Sequence, residues 1–193
     1  EPPSAVPQGV AQEGTPEVEV SPALSLMSRP GDGSIAARRV AVLVADGAEG
    51  ESLDALVSTL LAAGAVPRLV GSRLGAVTLT TGERQVDTTI EAMPSVLWDA
   101  VVIPDGADAI KALSADGRAL EFVKDQYRHC KPMLVLGAAS ALLENARISR
   151  VLVTGKLDPG VIVTEAGADV ATVFIEALAK HRYFDRETDP PLV

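Results

Sequence analysis

The sequence predicts an α/β domain built on an open, doubly wound, mostly parallel sheet with helices on both faces. Three observations predict it. Short runs made wholly of apolar residues recur at Val40 to Val44, Ala100 to Ile103 and Met133 to Leu136, the pattern of strands buried on both faces. Segments whose apolar residues recur at helical spacing stand between such runs. The connections are short, and the alternation continues from Arg39 almost to the end of the chain, which fits a single sheet with crossover helices.

The elements follow in order. Residues 1–38 are rich in Pro, Gly, Ser and Glu and too poor in periodic apolar residues to offset the entropy of ordering. They read as a flexible linker, with residues 39–193 as the domain. One island, Ala23-Leu24-Ser25-Leu26-Met27, interrupts the polarity, as a patch that docks onto a neighbouring surface would. A chain that starts in such a segment reads as a domain taken from something larger. After the strand Val40 to Val44, the residues Leu53, Leu56, Val57, Leu60 and Leu61 share a helical face, and Gly64 stands where a left-handed C-terminal cap belongs. Val66 to Val70 is the second strand. GAVTLTTGERQVDTTI, residues 75–90, is rich in Val and Thr around Gly82 and predicts a hairpin. Beyond the strand Ala100 to Ile103, the stretch Leu113 to His129 contains a helix that turns Leu120, Val123 and Tyr127 inward. Met133 to Leu136 is the next strand. Val161 to Val163 and a helix over 168–181, with Val170, Val173, Phe174, Ala177 and Leu178 on one face, complete a flavodoxin-like order without internal repeats.

Composition bounds the function. The 193 residues are 47% hydrophobic and 22% charged, the balance of one globular domain. A core of this size needs no staple, and the lone cysteine, Cys130, offers neither an internal disulfide nor a thiolate set for zinc. A net charge of −9 without any cluster of Lys and Arg argues against a nucleic-acid partner. Aromatic residues at 3% leave little stacking surface for bases or sugars. No apolar run approaches the ~20 residues that span a bilayer, and the first residues lack the charged and apolar regions of a signal peptide. No membrane partner is expected, and the expected compartment is cytoplasmic.

In open parallel sheets the chemistry gathers at the carboxyl ends of strands. After the first strand comes Asp46-Gly47-Ala48-Glu49-Gly50-Glu51-Ser52, where capping and the helix dipole account for the carboxylates without catalysis. It is no phosphate cradle, because it lacks the Lys-Ser/Thr of a Walker loop and the GxGxxG of a dinucleotide loop. After the next central strand, Pro104-Asp105-Gly106-Ala107-Asp108 is either a tight strand-to-helix turn or, with peptide groups pointing outward, an oxyanion hole. The third turn reads Leu136-Gly137-Ala138-Ala139. It has the small residues of a nucleophile elbow and nothing that can attack. Ser140 lies further into the helix without an evident base. His129 and His181 stand away from the elbow by sequence, and the helix dipole accounts for His181. Cys130 precedes a strand, at the sheet edge away from the elbow; Lys131 and His129 beside it would lower a thiol pKa, but a half-buried structural cysteine is the simpler reading.

From residue 39 to about 182 the order of motifs resembles the PfpI and class I glutamine amidotransferase-like superfamily. VAVLVADGAEGESLDALVSTLLAAGAVPRLVG opens it, WDAVVIPDGADAI follows, ALEFVKDQYRHCKPMLVLGAASALL surrounds the elbow and ADVATVFIEAL closes it. The resemblance implies that reacting members carry a Cys at the elbow, a Glu in the first helix turn and a His shortly after the elbow helix. Against that pattern Glu51 matches the Glu with a one-residue shift, the Cys position falls on Leu136 or Gly137, and the His segment is deleted between Asn145 and Val151. Within the superfamily, SPALSLMSRPGDGSIAARRVAVLVADG, LGAASALLENARIS and VLVTGKLDPGVIV resemble the junction, degenerate elbow and shortened loop of the C-terminal domain of large-subunit catalases, over residues 21–193. That resemblance implies a parent that decomposes hydrogen peroxide as a homotetramer, with haem in its core and no cofactor or metal in this domain. Neither Tyr127 nor Tyr183 stands in the context of a haem-ligating tyrosine. The domain would then be a non-catalytic accessory to the catalase core of its own polypeptide, supporting stability and assembly, with chaperone-like binding of unfolded client proteins as an extension. Glu51, Asp105 and Gly106 would be vestigial. The alternative is a hydrolase or glyoxalase of the superfamily with a non-standard nucleophile.

Overall fold

A computed structural model describes residues 21–25, 32–167 and 169–187. Most of the predicted linker, including Leu26 and Met27 of its apolar island, lies outside them. The chain divides into two units between Asp32 and Gly33. Of the first, Ser21 to Ser25 form a turn in which the Leu24 and Ser25 N–H groups donate to the Ser21 carbonyl at 3.1 and 2.9 Å, with the Leu24 side chain exposed.

The second unit carries the alternating elements. β1 (Arg39–Leu43), α1 (Glu51–Ala62) and β2 (Val66–Gly71) come first, then a hairpin of β3 (Gly75–Leu79) and β4 (Gly82–Val86). The two-residue β5 (Thr88–Thr89) precedes β6 (Ala100–Ile103), α2 (Ala107–Ala115) and α3 (Gly117–Arg128). β7 (Met133–Leu136), α4 (Ser140–Asn145), β8 (Val161–Thr164) and α5 (Val170–Lys180) complete it. The sheet has six strands in the order β5-β2-β1-β6-β7-β8, every neighbouring pair parallel, so the flavodoxin-like α/β expectation holds. β3 and β4 pair antiparallel in a sheet of their own.

Strand side chains alternate between faces, and each face has its own core. Ala41, Leu43, Val101, Ile103, Met133 and Val135 pack with Leu113, Phe122, Val123, Tyr127 and Leu142, from the side of α2, α3 and α4. Val40, Val42, Ala100, Val102, Leu134 and Leu136 pack with Leu53, Leu56, Leu60, Phe174 and Leu178, under α1 and α5. This is why the strands read as unbroken apolar runs. Each of the three buried leucines of α1 contributes roughly 2 kcal/mol. The helix stops as predicted: Gly64 takes φ +84° and donates to the Leu61 carbonyl at 2.9 Å, and the Ala65 N–H reaches the Leu60 carbonyl at 3.0 Å.

Several expectations are corrected. Packing begins upstream of Arg39, because Ile35 is buried in the α1 face and the Ala37 N–H donates to the Gly64 carbonyl at 2.8 Å. The stretch Leu113 to His129 contains the expected helix, α3, with Val123 and Tyr127 buried, and before it the end of α2. They part at Asp116, whose extended backbone (φ −97°, ψ 108°) ends α2 while its carboxylate caps α3 by accepting from the Arg118 N–H at 3.0 Å. Val173 does not face the core; it is 46% exposed.

Candidate functional site

β1 lies between β2 and β6, with parallel pairing on both sides. The chain winds outward from this point in two directions, and the crevice beyond the carboxyl ends of such strands is where open α/β sheets place ligands. Three turns meet there: 44–50 after β1, 104–106 after β6 and 137–139 after β7.

The elbow residue is Gly137. Leu136 has ordinary strand dihedrals (φ −106°, ψ 131°) and its side chain is buried in the α1 face, whereas Gly137 takes φ +51°. Gly137 therefore has the left-handed backbone of a strand-to-helix elbow, which glycine adopts without strain. Its space is not empty. A Cβ built on Gly137 would lie 2.2 Å from Asp105 Oδ2 and 2.4 Å from Asp105 Cγ. Asp105 Oδ1 in turn accepts from the Gly106 N–H at 2.7 Å and the Ala138 N–H at 2.9 Å. An internal carboxylate therefore fills the place of a side chain at the elbow and engages two amides at its mouth. The Gly106 amide does not point outward as an oxyanion donor; it turns onto its neighbour's carboxylate. The glycine itself is demanded by packing. Gly106 has φ +131°, and a Cβ there would lie 2.4 Å from the Gly47 carbonyl oxygen, while the Glu49 N–H donates to the Asp105 carbonyl at 2.8 Å.

The carboxylates after β1 divide their work. Glu49 caps α1: its carboxylate accepts from the Glu51 N–H at 2.7 Å, the Ser52 N–H at 3.0 Å and the Ser52 hydroxyl. Burial pushes this carboxyl up, but those donors outweigh it and hold its pKa below the ordinary value. Asp46 does not cap the helix, contrary to expectation. It accepts from the Thr78 N–H at 2.7 Å and ties the β3–β4 hairpin to the turn, as do the Gly50 N–H to Thr80 Oγ1 at 2.9 Å and the Arg84–Asp54 ion pair at 2.6 Å. Glu51 is exposed at the first position of α1 and lines a cavity of about 490 Å³ with Glu49, Ser52, Leu56, Leu136 and Val170. No histidine approaches it. Among the described residues, no group of three His, Cys, Asp or Glu side chains could hold a metal ion.

The remaining ionisable candidates lie at the opposite, strand-entry end of the sheet. Cys130 is fully buried rather than half-buried, and burial pushes its thiol up rather than leaving it activated. Its backbone takes φ +56° and its carbonyl receives the Tyr183 N–H at 2.8 Å. His181 does not behave as a dipole-stabilised cation. Burial, then Arg182 and Arg38, push its pKa down, although its Nε2 lies 3.5 Å from Asp99 Oδ1. His129 is exposed.

Sequence reasoning missed two buried groups here. Lys131 is 2% exposed and donates from Nζ to the Ser95 carbonyl at 2.8 Å and the Val96 carbonyl at 3.3 Å; burial brings its pKa down to about 8. Arg186 and Asp158 form an ion pair with both side chains 1% exposed. Arg186 also donates to the Lys131 carbonyl at 2.7 Å and stacks over the rings of Tyr127 and Tyr183, 4.9 and 5.5 Å from their centroids. The cluster also requires the glycine at position 160, where a Cβ would lie 2.3 Å from the guanidinium.

Comparisons with known proteins fit this architecture. The family described as the C-terminal domain found in long catalases matches residues 36–188. Catalase HPII of Mycobacterium avium is 39% identical over 180 residues, covering 88% of this chain and 25% of the relative. Catalase HPII of Pseudomonas putida is 34% identical over 183 residues, covering 93% and 24%, and Catalase-1 of Neurospora crassa 30% identical over 181 residues, covering 83% and 25%. The chain thus spans about a quarter of the length of these relatives. Among solved structures, Drosophila melanogaster DJ-1beta superposes with a TM-score of 0.61 at 19% identity, covering 76% of this chain and 91% of that one. A two-domain protein of Anabaena variabilis with DJ-1/ThiJ/PfpI-like and ferritin-like domains gives 0.62 at 20% identity, covering 73% and 47%. These two likenesses concern the fold alone. By the family match and the identity of its relatives, this chain belongs to the C-terminal domains found in long catalases.

Proposed function

We propose that this domain is a non-catalytic accessory of a long haem catalase, serving the stability and assembly of a polypeptide whose peroxide chemistry lies outside residues 33–193. The observation that carries the reading is the Asp105 carboxylate, which stands where an elbow side chain would sit and holds the amides of Gly106 and Ala138. The surroundings of the two tyrosines support the reading: Tyr183 donates its hydroxyl to the Ala177 carbonyl at 3.2 Å, and the Tyr127 ring lies under Arg186. The cofactor, the homotetramer interface and the reaction are assigned to the preceding core of the same polypeptide. A nucleophile at Cys130 finds no support, because that thiol is buried at the opposite end of the sheet from the elbow.

The test is the half-life of peroxide decomposition at elevated temperature for the full-length catalase and for a form lacking residues 33–193. A markedly shorter half-life for the truncated form is expected. Equal half-lives, with equal tetramer content by sedimentation, overturn the reading. Holdase activity toward unfolded clients belongs to the same proposal, and it requires that near-stoichiometric domain suppress aggregation of a heated client.

A further inference from the structure

We propose that the small hairpin of residues 150–158 is a docking element, presented to an acidic, apolar-centred surface on the rest of a longer polypeptide; this rests on the accessory reading above. The hairpin stands between α4 and β8. It is a built element. Val151 and Leu157 face each other across an antiparallel bridge. The Leu152 N–H donates to the Lys156 carbonyl at 2.9 Å, the Gly155 N–H to the Leu152 carbonyl at 2.9 Å and the Asp158 N–H to the Arg150 carbonyl at 2.8 Å. Directly opposed residues share a face and neighbours alternate along a strand, so Val151 and Leu157 lie together while Leu152 turns inward. Val151 and Leu157 are 45% and 67% exposed, Val153 in the adjoining turn is 65% exposed, and Leu152 is 7% exposed. Three exposed aliphatic side chains, on a turn whose backbone is already ordered, have the character of an interaction surface.

Its position and charge select the occupant. The base of the hairpin is Asp158, fixed by Arg186 at the strand-entry end of the sheet. Val96 and Leu97, also exposed, sit at the same end, with the Val96 carbonyl on Lys131 at 3.3 Å. β6 and β8 flank β7, so the two apolar groups stand in the connections that lead into strands two places apart in the sheet. Arg38, through which the chain enters β1, is at this end too but is ion-paired with Asp99 at 3.4 Å. Arg147, Arg150 and Lys156 are exposed around the hairpin, and no carboxylate lies between Arg147 and Leu157, although the whole chain carries a net charge of −9. A local run of cations in an acidic domain calls for an acidic partner. In relatives of which this chain covers 25% and 24%, most of the polypeptide lies outside it and is available as that partner.

Hydrogen exchange tests this in the full-length catalase against the isolated chain. Amides of residues 150–158 should exchange about tenfold more slowly in the full-length protein, and equal rates overturn the proposal. Two variants add an independent arm: Val151→Ser/Val153→Ser/Leu157→Ser, and Lys156→Glu. Both should leave the thermal unfolding of the isolated chain nearly unchanged, because the residues are exposed, and should remove the added protection in the full-length protein. Protection that survives both variants overturns the proposal. If deleting residues 33–193 leaves heat inactivation unchanged while the hairpin is protected, the accessory reading fails and the docking stands; shortened half-lives with no protection give the reverse. An isolated chain that dimerises, and that the triple variant returns to monomer, makes the occupant a second copy and overturns the proposal.

Discussion

At the strand-exit end of the sheet Asp105 is partly exposed and is held by two backbone amides, whereas at the strand-entry end Asp158 is 1% exposed and is held by the guanidinium of Arg186. The first carboxylate fixes the shape of two turns that are close in space. The second joins the segment after α5 to the start of β8 across 28 residues of sequence. The difference teaches that charge in this domain is concentrated by burial away from the end where the fold's chemistry would sit, and that stability should respond to the entry end far more than to the elbow.

The largest effect should come from Asp158→Asn, which leaves a buried guanidinium without its counter-charge. A loss of about 3–5 kcal/mol is expected by urea denaturation, and a loss below about 1 kcal/mol would remove the contrast between the two ends. Lys131 gives the next effect, through pH. Its native pKa of about 8 lies below the ordinary 10.5, so below pH 8 both states carry the proton and the native state bears the full burial penalty. Stability on this group's account climbs from pH 8 to 10.5, by about 3 kcal/mol. Lys131→Met should remove the climb and raise stability at pH 7, since the Ser95 carbonyl keeps the Gln126 amide as donor at 2.8 Å. Subtracting the two pH profiles isolates the lysine from Cys130, whose raised pKa acts in the opposite sense. Identical profiles would refute it.

Smaller effects belong to the elbow. Gly137→Ala combines a positive φ with the clash on Asp105 and should cost roughly 1–3 kcal/mol. Asp105→Ala orphans two partly exposed amides and should cost about 1 kcal/mol. The double variant should be less damaging than the sum, by about 1 kcal/mol, because deleting the carboxylate makes room for the new methyl. Additivity within experimental error would mean that the carboxylate does not occupy the elbow in solution.

The sheet was legible because strands covered on both faces must be apolar throughout, as Ala100 to Ile103 and Met133 to Leu136 are. β5 escaped notice because two threonines at a sheet edge carry no such pattern. The division at Asp116 was hidden by inward residues that continue at helical spacing from Leu113 through Leu120 and Val123, although Asp116-Gly117 is a cap signal. At the site, Asp105 and Gly137 could each be named from the sequence. Their contact could not, since it exists only because β6 and β7 pair in the register Ile103 to Val135. Asp158 and Arg186 gave still less, because a charged residue is ordinarily a surface residue and nothing local says that these two meet.

The Asp105 carboxylate at Gly137 also ties the two positions to each other. Any side chain at position 137 meets an occupied space, and loss of Asp105 alone leaves two amides without their acceptor. Each single change is therefore disfavoured, and only the pair opens a vacant, donor-lined position. The turn works as a two-key lock, closed to any substitution that arrives alone.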